Sequence, residues 1–349
     1  MTWGRRCAIA GVALVAVVVA ACTSDDTSDQ VSSTSSSRAS TTTSGADGTE
    51  VASLFATDAL AEDITTNACT FEDGTASTCY EITVHSDPTT VEPGPFCPTS
   101  IDDDDSGIFV WDGEDPGLYA LDRSFWELVD GQGYSFVGAD GSITVQDPGS
   151  GGPPSGDVCL QATADDSYTL TALVPTTPRR LDEPTQLDTV AQVGIALDGV
   201  TIFGDAPSGT SGQIPALDPC GGHHDPSGYY HWHFGSESIQ LNLDAADVPR
   251  TCNEAQDDGG LFGFAYDGYA IYGPYEDGAV PSDLDECNGH TSLTEELAEV
   301  YHYHLSLESP NLPPCRVGAV ASDKLSSRDN PNASLPDSGG PGGGGAPGG

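Results

Sequence analysis

The stretch Gly194-Ile195-Ala196-Leu197-Asp198-Gly199-Val200-Thr201-Ile202-Phe203-Gly204 recurs as Gly263-Phe264-Ala265-Tyr266-Asp267-Gly268-Tyr269-Ala270-Ile271-Tyr272-Gly273. The copies agree at both end glycines, the alanine, the Asp-Gly pair and the isoleucine, and each puts an aromatic before its closing glycine. Asp-Gly between two short apolar runs supplies the positive backbone angles of a tight turn. Each copy is expected to be a β-hairpin, with Asp198 and Asp267 as turn residues rather than catalytic carboxylates. The fold class that follows is mostly β, built partly on two internal repeats over about 194–252 and 263–315.

Outward from the repeats the pattern stays β. Tyr80-Glu81-Ile82-Thr83-Val84, Gly107 to Trp111, Ser142 to Val145 and Tyr168 to Val174 are short, rich in β-branched and aromatic residues, and bounded by Gly, Pro or Asp. Helix candidates are few: Val51 to Asp63, Ser124 to Val129, and Leu293 to Glu299, where Thr291 or Ser292 can cap the start. Residues 49–321 are long enough for one large domain or two modest ones, and are read as a single β-rich domain with few short helices. Residues 51–180 fit as an integral layer of it.

Behind each hairpin a second block repeats. Asp218-Pro219-Cys220-Gly221-Gly222-His223 precedes Tyr230-His231-Trp232-His233, and Asp285-Glu286-Cys287-Asn288-Gly289-His290 precedes Tyr301-His302-Tyr303-His304, with four extra residues in the second copy. A later cysteine, Cys252 or Cys315, follows each block. If each repeat is one structural unit, Cys220 pairs with Cys252 and Cys287 with Cys315, closing a loop around the histidines.

These motifs resemble the YHYH-domain family of exported bacterial proteins. The likeness rests on Tyr301-His302-Tyr303-His304, the Asp-x-Cys-x-Gly-His segment upstream and Gly263 to Pro274. It covers roughly residues 80–320 and is strongest from 190 to 318; Trp232 departs from it in the first copy. The resemblance brings no reaction or ligand with it, so chemistry must come from the residues.

Seven of the eight histidines, all but His85, fall in the two blocks. Side chains alternate along a strand, so His231 and His233 share one face while Tyr230 and Trp232 share the other; His302 and His304 repeat the arrangement. His223 and His290 enter from glycine-flanked loops, with His224 as a spare. Three imidazoles per repeat suit zinc, copper, iron or nickel, with copper or zinc as the leading choice. Three imidazoles per repeat are enough for one open site each, but the six could instead surround one shared centre, and the site is expected at the repeat interface. Asp218, Asp285, Tyr230 and Tyr301 are candidates to orient the imidazoles from behind.

The ends of the chain place it outside the cell membrane. Arg5 and Arg6 precede an apolar run from Ala8 to Val19, too short to span a bilayer comfortably, that ends in Val19-Ala20-Ala21-Cys22. Small residues before a cysteine resemble a lipobox, so residues 1–21 read as a lipoprotein signal peptide and Cys22 as the acylated (palmitate-bearing) residue; a plain secretory signal and a twin-arginine signal are the alternatives. Residues 22–48 are nearly all Ser, Thr, Asp and Gly, the composition of a disordered tether, and residues 322–349 read as a disordered Gly/Pro-rich tail. Of ten cysteines, Cys7 leaves with the signal and Cys22 carries lipid, so eight remain for an oxidising compartment. Eight allow about a hundred connectivities; sequence order pairs Cys69 with Cys79 and Cys97 with Cys159.

The formal net charge is −44, and losing Arg5 and Arg6 takes it to −46. That excludes nucleic acid, whose phosphates need a basic surface, and leaves the acyl chain rather than the protein surface to hold the bilayer. Asp102 to Asp105 lacks the spaced oxygen ligands of a calcium loop and reads as a solvated turn.

Three functional classes remain. A metal-binding or metal-handling protein would carry stoichiometric metal, lost below the ordinary histidine pKa of about 6.5. A hydrolase would need either an open metal position or a nucleophile motif such as Gly-x-Ser-x-Gly, which is absent from the sequence. A structural or adhesive module would keep the histidines packed and metal-free.

Overall fold

The structure is a computed structural model that describes residues 48–150, 153–188, 191–204, 212–293, 300–327 and 330–334. The expected signal peptide, nearly all of the tether, the helix expected at 293–299 apart from its first residue, and the end of the tail lie outside them.

The two hairpins form as the Asp-Gly turns require. The first pairs β1 (Gln192–Ala196) with β2 (Thr201–Phe203), the second β5 (Leu261–Ala265) with β6 (Ala270–Tyr272). Gly199 and Gly268 take φ of 88° and 92°, and the Asp198 and Asp267 carboxylates accept from the backbone N–H two residues on at 2.9 and 3.3 Å. Each hairpin then extends outward through two histidine-bearing strands: β3 (Gly222–His224) with β4 (Tyr230–Trp232), and β7 (Gly289–Ser292) with β8 (Val300–His304).

All eight strands make one sheet in the order β3-β4-β2-β1-β5-β6-β8-β7. The order is a palindrome of the two repeats. They join at the antiparallel pair β1 and β5, where Ile195 faces Phe264, so the halves are related by a pseudo-twofold axis between those strands. β4 lies parallel to β2 and β8 parallel to β6, which puts His231 beside Thr201 and His304 beside Tyr272.

The N-terminal portion is integral to this fold. Strands Thr65–Thr70, Ala76–Val84, Leu170–Pro175, Leu325–Ser327 and Asn330–Ser334 form a second, five-stranded sheet. Tyr80, Ile82, Val84 and Leu170 from that sheet share a buried cluster with Ile195, Phe203 and Tyr266 of the repeats. A larger cluster joins Ile108, Trp111, Phe125 and Trp126 to Ile202, Trp232, Ile271 and Tyr303. Cys69–Cys79, Cys97–Cys159, Cys220–Cys252 and Cys287–Cys315 are disulfides, as sequence order and the repeat units suggested.

Three local expectations change. The helix expected over 51–63 is cut to Gly48–Ala52, because the Ala56 N–H is drawn to the Leu197 carbonyl (2.8 Å) and Asp58 takes a positive φ of 66°. The strand expected at Ser142–Val145 is reduced to isolated bridges at Ser142 and Ile143 and a short strand at Val145–Gln146. The tail expected from residue 322 still contributes sheet: Leu325–Ser327 pairs with Leu170–Ala172, and Leu325 is buried. The helix expected near 124–129 is present as Arg123–Gly131, capped by Asp122, with Phe125, Trp126 and Val129 turned inward. Among the described residues, no helix is long and apolar enough to cross a membrane. Asp102, Asp104 and Asp105 are exposed, and Asp102 pairs with Arg123.

Candidate metal centres

Strand register assembles each triad. His223 on β3 lies directly opposite His231 on β4, and His290 on β7 opposite His302 on β8. Directly opposed residues share a face of the sheet, and the next same-face residue along the strand is His233 or His304. The result is two groups, His223/His231/His233 and His290/His302/His304, each able to offer one nitrogen per residue with all three within 4.8 Å of one another. Ring centroids in the first lie 4.7, 4.8 and 5.0 Å apart, and in the second 4.8, 5.0 and 5.1 Å. The triads are copies of one design.

They are two sites and not one. The repeats meet at β1 and β5, whereas β4 and β8 are separated by four strands in the sheet order. A centre shared at the repeat interface is therefore not formed; the pseudo-twofold axis carries the triads to opposite flanks.

The outward nitrogens are held by carbonyls. His233 Nδ1 lies 2.6 Å from the Gly204 carbonyl oxygen and His304 Nδ1 2.7 Å from that of Gly273, the closing glycines of the hairpins. His223 Nδ1 meets the Ala216 carbonyl at 3.2 Å and His302 Nδ1 that of Val300 at 3.1 Å. A carbonyl only accepts, so in these four rings Nδ1 carries the proton and Nε2 presents a lone pair. Two of those lone pairs face each other, His233 Nε2 lying 3.2 Å from His223 Nε2; His231, whose buried Nδ1 has no hydrogen-bond partner, brings its Nε2 to 3.0 Å from His233 Nε2 and can donate there. In the second triad His304 Nε2 is 3.2 Å from His290 Nε2, and His302 Nε2 is buried without a hydrogen-bond partner.

Burial disfavours protonation of His223, His231, His233, His302 and His304. His231, His233, His290, His302 and His304 are all buried and His223 is half-buried. Desolvation, reinforced by neighbouring imidazoles, takes His223 and His231 well below the ordinary histidine value; desolvation takes His233 and His302 down to about 4 and also lowers His304. Neutral imidazole is the ligating form.

The opposite strand faces are locked by carboxylates. The Tyr230 hydroxyl donates to Asp218 (2.6 Å), and Tyr301 donates to Asp285 (3.0 Å). Trp232 donates through Nε1 to Asp198 (2.9 Å), and Tyr303 through its hydroxyl to Asp267 (2.6 Å). The tryptophan that departs from the tyrosine pattern thus keeps the same bond to the same turn residue. Gly222 and Gly289 are needed because the Tyr230 and Tyr301 rings cross them: a Cβ there would lie 2.3 and 2.1 Å from the hydroxyl oxygens.

Asp218, Asp285, Tyr230 and Tyr301 were expected to orient the imidazoles directly. Instead they bond one another and the backbone N–H groups of Cys220, Gly222, Cys287 and Gly289, so they position the strands, not the rings. His224 points to the other face, against Phe96 and Tyr230, and is no substitute for His223. Two groups were missed in the sequence. Asp283 and Glu276 both meet His290, at 2.9 Å on Nδ1 and 3.2 Å on Nε2. Their only sequence signal was position relative to Gly273 and Asp285.

A family model described as "YHYH protein" matches residues 171–281. The matched span holds the first repeat with its Tyr230-His231-Trp232-His233 and the second hairpin, and stops short of Tyr301-His302-Tyr303-His304, a narrower reach than the resemblance over 80–320. No curated protein and no solved structure matches the chain.

Proposed function

We propose that this is an exported metal-binding protein that holds two transition-metal ions, one in each three-histidine site, and is tethered to the membrane by acylated Cys22. The observation that carries the reading is the approach of the His223 and His233 Nε2 lone pairs to 3.2 Å, inside a three-histidine group that the second repeat copies. Two imidazoles whose Nδ1 protons are committed to carbonyls have no hydrogen to share at Nε2, so such a contact needs a cation between them. Ligands bound tetrahedrally at about 2.0–2.1 Å lie roughly 3.3 Å apart, close to the spacing found. Oxidised cysteines leave imidazole as the ligand chemistry, which suits copper or zinc. A bound ion would supply Lewis acidity or redox capacity; the chain's own contribution is to hold neutral imidazoles in a buried pocket. Export is supported by the four disulfides, which persist in oxidising compartments.

The test is elemental analysis of protein purified without a histidine tag and offered zinc, copper, iron and nickel in turn. Two equivalents are expected in the wild type and one in either His231→Ala/His233→Ala or His302→Ala/His304→Ala. Absence of bound metal in the wild type under every condition would return the histidines to a structural role.

A further inference from the structure

The two triads differ in carboxylates that the sequence repeat does not copy. Glu276 stands three residues after Gly273; the residue three after Gly204 is Pro207, which offers no ligand atom. Glu276 is half-buried, its Oε1 accepts from the Ser292 hydroxyl, and its Oε2 lies 3.2 Å from His290 Nε2. His290 Nε2 is in turn 3.2 Å from His304 Nε2, so the same imidazole nitrogen meets a carboxylate oxygen on one side and a second imidazole on the other. His302 Nε2, buried and unpartnered, belongs to the same triad. On the far side of His290, Asp283 Oδ1 accepts from Nδ1 at 2.9 Å, where His223 in the first triad meets the Ala216 carbonyl. A carboxylate behind the imidazole raises its basicity as a ligand and fixes its orientation.

We propose that Glu276 is the fourth protein ligand of the second site, making His290, His302, His304 and Glu276 a centre for a divalent transition-metal cation, while among the described residues the first site offers imidazole alone. This rests on the metal-binding reading above. An anionic oxygen ligand favours a divalent ion over a soft monovalent one, because it offsets charge and is a hard donor. Ser292 supplies the constraint that keeps Oε2 turned to the imidazoles. The two sites of one chain are then unequal: the second prefers zinc(II) over copper(I), and the first discriminates less.

The competing account makes Glu276 a neighbour of His290 that takes no part in binding metal. Zinc(II) and copper(I) titrations of the full mature chain, against chromophoric chelators, separate the two. In the His231→Ala/His233→Ala background, which leaves the second site alone, Glu276→Gln should weaken zinc(II) by about tenfold to a hundredfold and copper(I) far less. Glu276→Asp and Ser292→Ala should fall between. With the first triad intact, the equivalent bound there in Glu276→Gln reports that the protein is folded. Equal zinc(II) affinity of Glu276→Gln and its parent at the second site would overturn the assignment while leaving the metal reading standing. Absence of metal in the wild type would overturn both.

Discussion

The Nδ1 of His304 and the carbonyl oxygen of Gly273 are 2.7 Å apart, and this contact ties the last residue of one motif to the last residue of another. Parallel pairing of β8 with β6 sets Tyr272 beside His304 and leaves the next carbonyl facing the ring. The same bond joins His233 to Gly204 at 2.6 Å. The hairpin repeat therefore does more than build the sheet; its closing glycine selects the tautomer of a candidate ligand.

Acid sensitivity of the metal-free protein follows from the buried imidazoles. Burial holds His233 and His302 at about 4, below the unfolded value of 6.5. In that window the unfolded chain binds protons that the native state refuses, so stability is full above about 6.5 and falls as pH drops toward 4. Denaturant midpoints measured across pH 4–7 should show this slope, and His302→Ala/His304→Ala should flatten it. Metal uptake should persist at pH 5, below the loss near 6.5 expected for ordinary histidines.

Asp198 should contribute the opposite slope. Burial first of all pushes its carboxyl up to about 7 from 3.8, against the bonds from Val200 N–H and Trp232. The native state keeps a proton that the unfolded chain has lost, so stability falls as pH rises from about 4 to 7. Asp198→Asn should gain on the wild type across that interval, as read by paired denaturation curves; a constant difference would sink the argument.

Tyr303→Phe tests the latch behind the second triad. It removes the hydroxyl that donates to Asp267 (2.6 Å) and accepts from the Val317 N–H (2.8 Å), leaving both buried partners short. A stability loss of about 1–3 kcal/mol is expected. Metal at the second site should weaken while the first site keeps its equivalent.

Gly289→Ala places a methyl 2.1 Å from the Tyr301 hydroxyl oxygen and should cost about 1–3 kcal/mol through forced displacement of that ring. The shift acts on β7 and β8 together, so zinc(II) affinity at the second site is expected to fall with it. Unchanged melting and affinity would show that the tyrosine is free to move aside.

Much was legible along the chain because it depends on near neighbours. Asp198-Gly199 and Asp267-Gly268 turn the backbone wherever they occur, alternation places His231 with His233 and His302 with His304, and the repeat units paired Cys220 with Cys252 and Cys287 with Cys315. The direct opposition of His223 to His231 and of His290 to His302, the separation of the sites and the carboxylates around His290 were decided elsewhere. They follow from which strand lies beside which: β3 against β4, β7 against β8, and the repeats joined through β1 and β5. Turn chemistry and side-chain alternation are local and survive in any context; register and strand order depend on long-range burial, where Phe203, Tyr266 and the second sheet compete for the same faces.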